Sequence, residues 1–146
     1  GGGVEVHADG GSVPIVGVFN GCRFTDPTTG KETFSNFYPA STNASDIEAF
    51  IIDDPMAIFE IQADDTFPVA DLFGNFDIVY TSSGSTTTGI SGAELDVTTG
   101  ATTATLPLKA IDISRDPNNS DVSSANTNVL VVIQNHIFGQ KGAGLA

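Results

Sequence analysis

Oxygen-bearing side chains recur at nearly alternate positions in SRDPNNSD, residues 114–121, where Asp116, Asn118, Ser120 and Asp121 follow one another closely. A calcium loop needs Asp at position 1, oxygen ligands at 3 and 5, Gly at 6 for the sharp turn and a bidentate Glu at 12. Counted from Asp116, the Gly position holds Asp121 and the Glu position holds Thr127, so the two diagnostic places fail. Asp116, Asn118 and Asp121 stand as weak metal candidates only. The Asp-Pro dipeptide at the head of this loop also occurs at Asp26-Pro27 and Asp54-Pro55, each time after an apolar run. An Asp side chain can accept a hydrogen bond from the backbone two residues on, and the following Pro presets φ, so Asp-Pro marks a type I turn. The loop reads as a turn, and no metal or cofactor is expected.

The remaining reactive residues meet the same test. Cys22 in FNGCRF has no His near it in sequence, and strand alternation groups it with Val16, Val18, Asn20 and Phe24, so it reads as a small buried apolar residue. His136, one of two histidines beside His7, reads as a surface or hydrogen-bonded residue rather than a base. Asp46, Glu48, Asp53, Asp54, Glu60, Asp64 and Asp65 crowd one stretch as a glycosidase pair might require. Such enzymes line their clefts with aromatic groups, and this chain has no Trp and only Tyr38 and Tyr80; a solvated acidic rim is the simpler reading. Gly139, Gly142 and Gly144 follow the last apolar run and open no helix, so they read as a flexible tail rather than a phosphate cradle. Asn43 and Asn118 head glycosylation sequons, a tripeptide common by chance. No catalytic residue is assigned, and the chain is read as non-enzymatic.

The elements that hold these residues are read from periodicity. In AIFEIQAD, Ala57, Phe59, Ile61 and Ala63 fall on one face while Glu60, Gln62 and Asp64 fall on the other, with Ile58 the apolar exception. Further strands are predicted at 4–7, 15–24, 32–37, 47–53, 76–81, 94–98, 106–113 and 129–138. The last is apolar on both faces in its first half, which predicts a central strand. Helix signals are poor; only TFPVADLFG, 66–74, predicts a short turn of helix, with Gly74 closing it. The Gly- and Thr-rich stretch 84–106 predicts a long exposed loop around a short strand that keeps Leu95 and Val97 in phase. The fold class is all-β, an antiparallel barrel or sandwich with long loops and at most short helical turns. One β domain spans 15–138, preceded by an N-terminal segment 1–14 and followed by the tail 139–146. The expected core is Phe19, Phe50, Ile52, Phe59, Ile61, Ile78, Leu108, Ile111, Val131 and Ile133.

With 146 residues the chain has enough length for one core without disulfides. Five Lys and Arg against eighteen Asp and Glu give a net charge of −13, which opposes binding to nucleic acid or anionic lipid. The single Cys22 excludes an internal disulfide, and the VLVVI run at 129–133 is far shorter than the ~20 residues of a membrane-spanning helix.

Several stretches carry a resemblance: IVGVFNGCRFTDPTTGKETFSNFYPASTNASDIEAFIIDDP, then FEIQAD, GSTTTGISGAELD and NTNVLVVIQNH. Together, from Ile15 to Phe138, they resemble small virion structural proteins of tailed bacteriophages, notably marine ones, of the head decoration type. The resemblance implies a cement protein on the outer capsid surface, localised to the virion. Its partners would be the major capsid protein and further copies of itself in symmetric oligomers. It further implies that residues 1–14 end a longer arm. None of the shared stretches is catalytic. An attachment without a basic patch would rest on apolar and backbone groups at strand edges or in the loop 84–105, and would depend weakly on salt. The alternative is a secreted β-sandwich that binds glycans, or an extracellular fibre subunit.

Overall fold

The computed structural model describes residues 4–85 and 87–139. Eight strands form two antiparallel sheets: β1 (Val18–Thr25), β2 (Glu32–Ser35), β3 (Glu48–Ile52), β4 (Ile58–Gln62), β5 (Asn75–Val79), β6 (Glu94–Ala101), β7 (Leu108–Ile113) and β8 (Asn128–Ile133). The first three make a small sheet of order β2-β1-β3, and the other five a larger sheet of order β4-β8-β7-β5-β6. The protein is all-β, with only two short 3-10 turns at Val69–Asp71 and Pro117–Asn119 among the described residues. All three Asp-Pro pairs make the expected turns. Asp26, Asp54 and Asp116 each accept from the backbone N–H two residues on, at 2.7, 2.8 and 2.8 Å. The backbone N–H groups of Ala57 and Asn119 close the second and third turns onto the carbonyls of Asp54 and Asp116.

The larger sheet curls over its apolar face. Phe59 and Ile61 of β4 lie opposite Val131 and Val129 of β8, Ala110 and Leu108 of β7 continue the row, and Phe76, Ile78 and Leu95 complete it. The two edge strands then meet at one end, where Ala63 bridges Leu95 and Asp64 donates its N–H to the Leu95 carbonyl at 3.0 Å. This single bridge does not extend into a ladder, so the sheet does not close into a barrel. Phe67, 1% exposed, fills the curl against Phe76 at a centroid distance of 5.4 Å. The buried cluster lies within this sheet and the loops over it, and takes no residue from β1, β2 or β3. Burial of this apolar area is the main favourable contribution to folding.

Several sequence expectations change here. Residues 4–7 form no strand, and β8 stops at Ile133 instead of running to 138. The reason lies in Pro107, whose carbonyl takes the N–H groups of both Gln134 and Asn135, ending regular pairing. The same proline lacks an N–H, and β7 starts one residue after it. The turn at 66–74 is present, but the left-handed residue is Phe73, with φ of 69°, and not Gly74. Phe73 donates its N–H to Ala110 and Gly74 accepts from Ala110, which pins the turn onto β7. Of the expected core, Ile78, Leu108, Val131 and Ile133 are buried, Phe59 and Ile61 pack partly against the cluster, and Ile111 sits half-buried at a bulge in β7. Phe19, Phe50 and Ile52 are not core: they are 42%, 43% and 38% exposed. They belong to the small sheet, which contributes nothing to the buried cluster.

Candidate interaction surface

The irregularity that shapes the small sheet is a bulge in its central strand. Pairing of β1 with β3 runs Val18 to Ile52 and Phe19 to Ile51, then slips before resuming at Cys22 to Ala49. Gly21 in the slip has φ of 111°, and a Cβ there would lie 2.7 Å from the Ser35 carbonyl oxygen, so the kink requires glycine. Past the kink the alternation changes phase. Cys22 and Phe24 become buried at 1% and 3%, while Val18, Phe19 and Asn20 before it are exposed. The expectation that Cys22 is a small buried residue holds, but its grouping with Val18 and Asn20 fails because the bulge intervenes. Burial raises the thiol pKa, and Sγ donates to the Phe37 carbonyl, which leaves it unactivated.

One face of this sheet is built by register. Arg23 stands opposite Phe34 on one side and Glu48 on the other, and Phe50 and Ile52 follow Glu48 at alternate positions. Phe34 and Phe50 reach over the intervening β1 and stack, with centroids 6.4 Å apart and planes 6° from parallel. Their exposures are 67% and 43%, and Val18 and Ile52 extend the apolar strip at 39% and 38%. Arg23 pairs with Glu32 through Nε and with Glu48 through Nη1 at 3.1 Å, so three strands carry one row of alternating charge beside the rings. These pairs are exposed and contribute more to local order than to stability. A hollow of about 320 Å3 opens beside the stack, lined by Asn20, Cys22, Phe34, Ser35, Asn36 and Phe50. The opposite face is partly covered by the loop after β2, where Tyr38 meets Phe24 edge-on at 5.4 Å and its hydroxyl donates to the Thr42 carbonyl.

Two of the three metal candidates, Asp116 and Asp121, accept hydrogen bonds within their own turns, and Asn118 contributes its backbone N–H. Asp116 caps its turn, and Asp121 accepts from the N–H and hydroxyl of Ser123, which holds its carboxyl below the usual range. Among the described residues, no three His, Cys, Asp or Glu side chains are grouped as a metal would need. The loop's most connected residue is one the sequence reading passed over. Asn119 accepts from the Asn128 N–H at 2.9 Å and donates to the Ser114 and Asn128 carbonyls at 2.8 and 3.0 Å, imitating one more strand residue beside β8. The acidic stretch is likewise dispersed: Asp46 accepts from Thr25, Glu60 from Ser114 and Asn128, and Asp64 from the Val97 N–H. Asp53 and Asp54 follow β3.

His136 departs from its expected surface or fully bonded state. It is 1% exposed, its Nδ1 accepts from the Phe138 N–H at 3.0 Å, and its Nε2 has no hydrogen-bond partner among the described residues. Its neighbour Asn135 donates to the carbonyls of Ser12 and Thr105, while its backbone bonds Ile15, tying the N-terminal segment to the end of β8. The Gly- and Thr-rich loop also packs more closely than expected: a Cβ on Gly89, at φ of 73°, would lie 2.5 Å from the Phe37 ring. Gly142 and Gly144 of the tail lie outside the described residues, as does Thr86 of this loop. No family model matches this chain, and neither a curated protein nor a solved structure matches it.

Proposed function

We propose that this chain is a non-enzymatic virion structural protein, a decoration or cement subunit that attaches to the outer surface of a tailed-phage head. The observation that supports this most directly is the strip formed by Val18, Phe34, Phe50 and Ile52, with large apolar groups left exposed on one face of a sheet outside the core. Contiguous apolar surface rimmed by polar groups marks interaction sites. Bound to an assembled shell more tightly than to its dispersed subunits, such a protein adds its binding free energy to shell stability by mass action. Many repeated contacts make modest individual affinities sufficient. The sequence resemblance to head decoration proteins points to the same role, with the major capsid protein as partner.

The test is to strip and re-add the protein to capsids at low and high salt while following the rupture temperature, alongside the Phe34→Glu/Phe50→Glu variant. Restored rupture temperature with the natural chain and not with the variant is the expected result. No restoration at any salt concentration would sink the stabilising role. A second reading, an extracellular glycan-binding module, is favoured by one observation: the exposed rings of Phe34 and Phe50 border a hollow offering Asn20, Ser35 and Asn36. Saturable binding of an oligosaccharide at that hollow, without any effect on capsids, would select it.

A further inference from the structure

The small sheet has an unusual edge. Strand β3 pairs with β1 on one side, and among the described residues no strand or loop takes the backbone groups of its other side. Open edges are normally blunted by Pro, Lys, a bulge or a very short strand. β3 has none of these between Ala49 and Ile52, and it is apolar on both faces: Phe50 and Ile52 on one, Ala49 and Ile51 on the other. Residues apolar on both faces are the pattern of an inner strand rather than an outer one.

The occupant is selected by charge. Asp46 precedes β3, Glu48 opens it, and Asp53 and Asp54 follow its end. Arg23 pairs with Glu48, whereas Asp46 is held by Thr25 and Asp54 by the Met56 N–H, neutral groups that do not offset a carboxylate. A second copy paired antiparallel about Phe50 would set Asp46 of each chain against Asp54 of the other. Other registers also bring acidic end to acidic end, and like charges placed opposite one another in a sheet are destabilising. We propose that the outer edge of β3 accepts an extended segment of another protein, apolar at alternate positions and carrying Lys or Arg at both ends. This deepens the attachment reading above by stating how the contact is made. Backbone bonds and the apolar faces supply the affinity, while the basic ends fix the register and reject wrong partners.

The probe is a synthetic peptide of about eight residues, the common length of a strand, alternating Val and Thr with two Lys at each end. A Glu-ended version and a version with alternate backbone N-methyl groups serve as controls. Hydrogen exchange of the backbone amides of residues 48–52 is followed on the full chain, with sedimentation of the chain alone. The expected result is saturable slowing of the outward amides by about tenfold or more with the Lys-ended peptide and with neither control. Equal slowing by the Lys- and Glu-ended peptides, or none with any peptide, overturns the inference. A dimer of the chain alone with those amides already protected also overturns it, in favour of a second copy as occupant. Because no capsid enters this experiment, its failure is separable from failure of the capsid test: either can fail while the other succeeds.

Discussion

At the scale of single residues, short polar side chains act mostly on the backbone. Asp46 shows this most clearly, with one oxygen on the Thr25 N–H and the other on its hydroxyl, and these bonds lower its pKa from the ordinary 3.8. A carboxyl with a depressed folded pKa contributes stability that is present in full above the unfolded value and is lost as pH falls through the folded one. The urea midpoint of the natural chain should therefore exceed that of Asp46→Asn at neutral pH, and the two should converge below pH 3.8. A constant gap between them down to strong acid would show that the bonds do not depend on the charge. Asn119 supplies a neutral counterpart. With three hydrogen bonds to Ser114 and Asn128, its replacement by Ala should cost about 2 kcal/mol, read as a shift in denaturant midpoint at constant m-value. A loss under about 0.5 kcal/mol would mean that water replaces the side chain fully.

At the scale of elements, the core assigns different weights to aromatic residues that look alike in sequence. Phe67→Ala should cost about 3 to 5 kcal/mol because it leaves a cavity inside the curl, whereas Phe59→Ala, at a partly buried position, should cost less. Phe34→Ala, on the exposed strip, should change stability by less than about 1 kcal/mol. Equal losses for all three would contradict the burial pattern. The sequence made the strands and turns legible wherever one local rule decided them. The Asp-Pro turns, the faces of β4 and the phase of Leu95 in β6 all follow from residue type and a period of two. It failed where a remote group intervened. β8 ends because Pro107, far away in sequence, takes its next two N–H groups, and Phe19, Phe50 and Ile52 pass for core because hydrophobicity alone cannot tell an exposed sheet face from a covered one. The bulge at Gly21 shifts the phase of β1, and that shift follows from the register to β3 and not from alternation. Asn119 escaped notice because its bonds run to a strand that alternation alone does not place beside it.

At the scale of the whole molecule, two sheets of unequal burial share one chain. The larger contains the packed cluster, and the smaller buries only Gly21, Cys22 and Phe24. Local opening follows such differences in burial. Native-state hydrogen exchange should therefore release the amides of β1 to β3 at lower free energy than those of β7 and β8. Synchronous exchange of both groups would show that they open as one unit. The net charge of −13 adds repulsion between copies, which opposes indiscriminate association through the exposed apolar strip.

The pairing of β4 with β8 sets a timetable for synthesis. Ile58 to Gln62 must wait for Asn128 to Ile133 before their ladder exists, whereas β1, β2 and β3 follow one another closely along the chain. Contacts distant in sequence form slowly because their loops must close first. The β4–β8 ladder is therefore expected to form late, with β4 without its partner strand until β8 has been synthesised. Pulse-labelled exchange during refolding should show β1 and β2 protected in the first phase and β4 in a later one. Protection of β4 ahead of β1 would reverse that order. In that interval the bare strands are open to neighbouring chains, so yield during production should depend on the rate of synthesis and on temperature more steeply than the final stability would suggest.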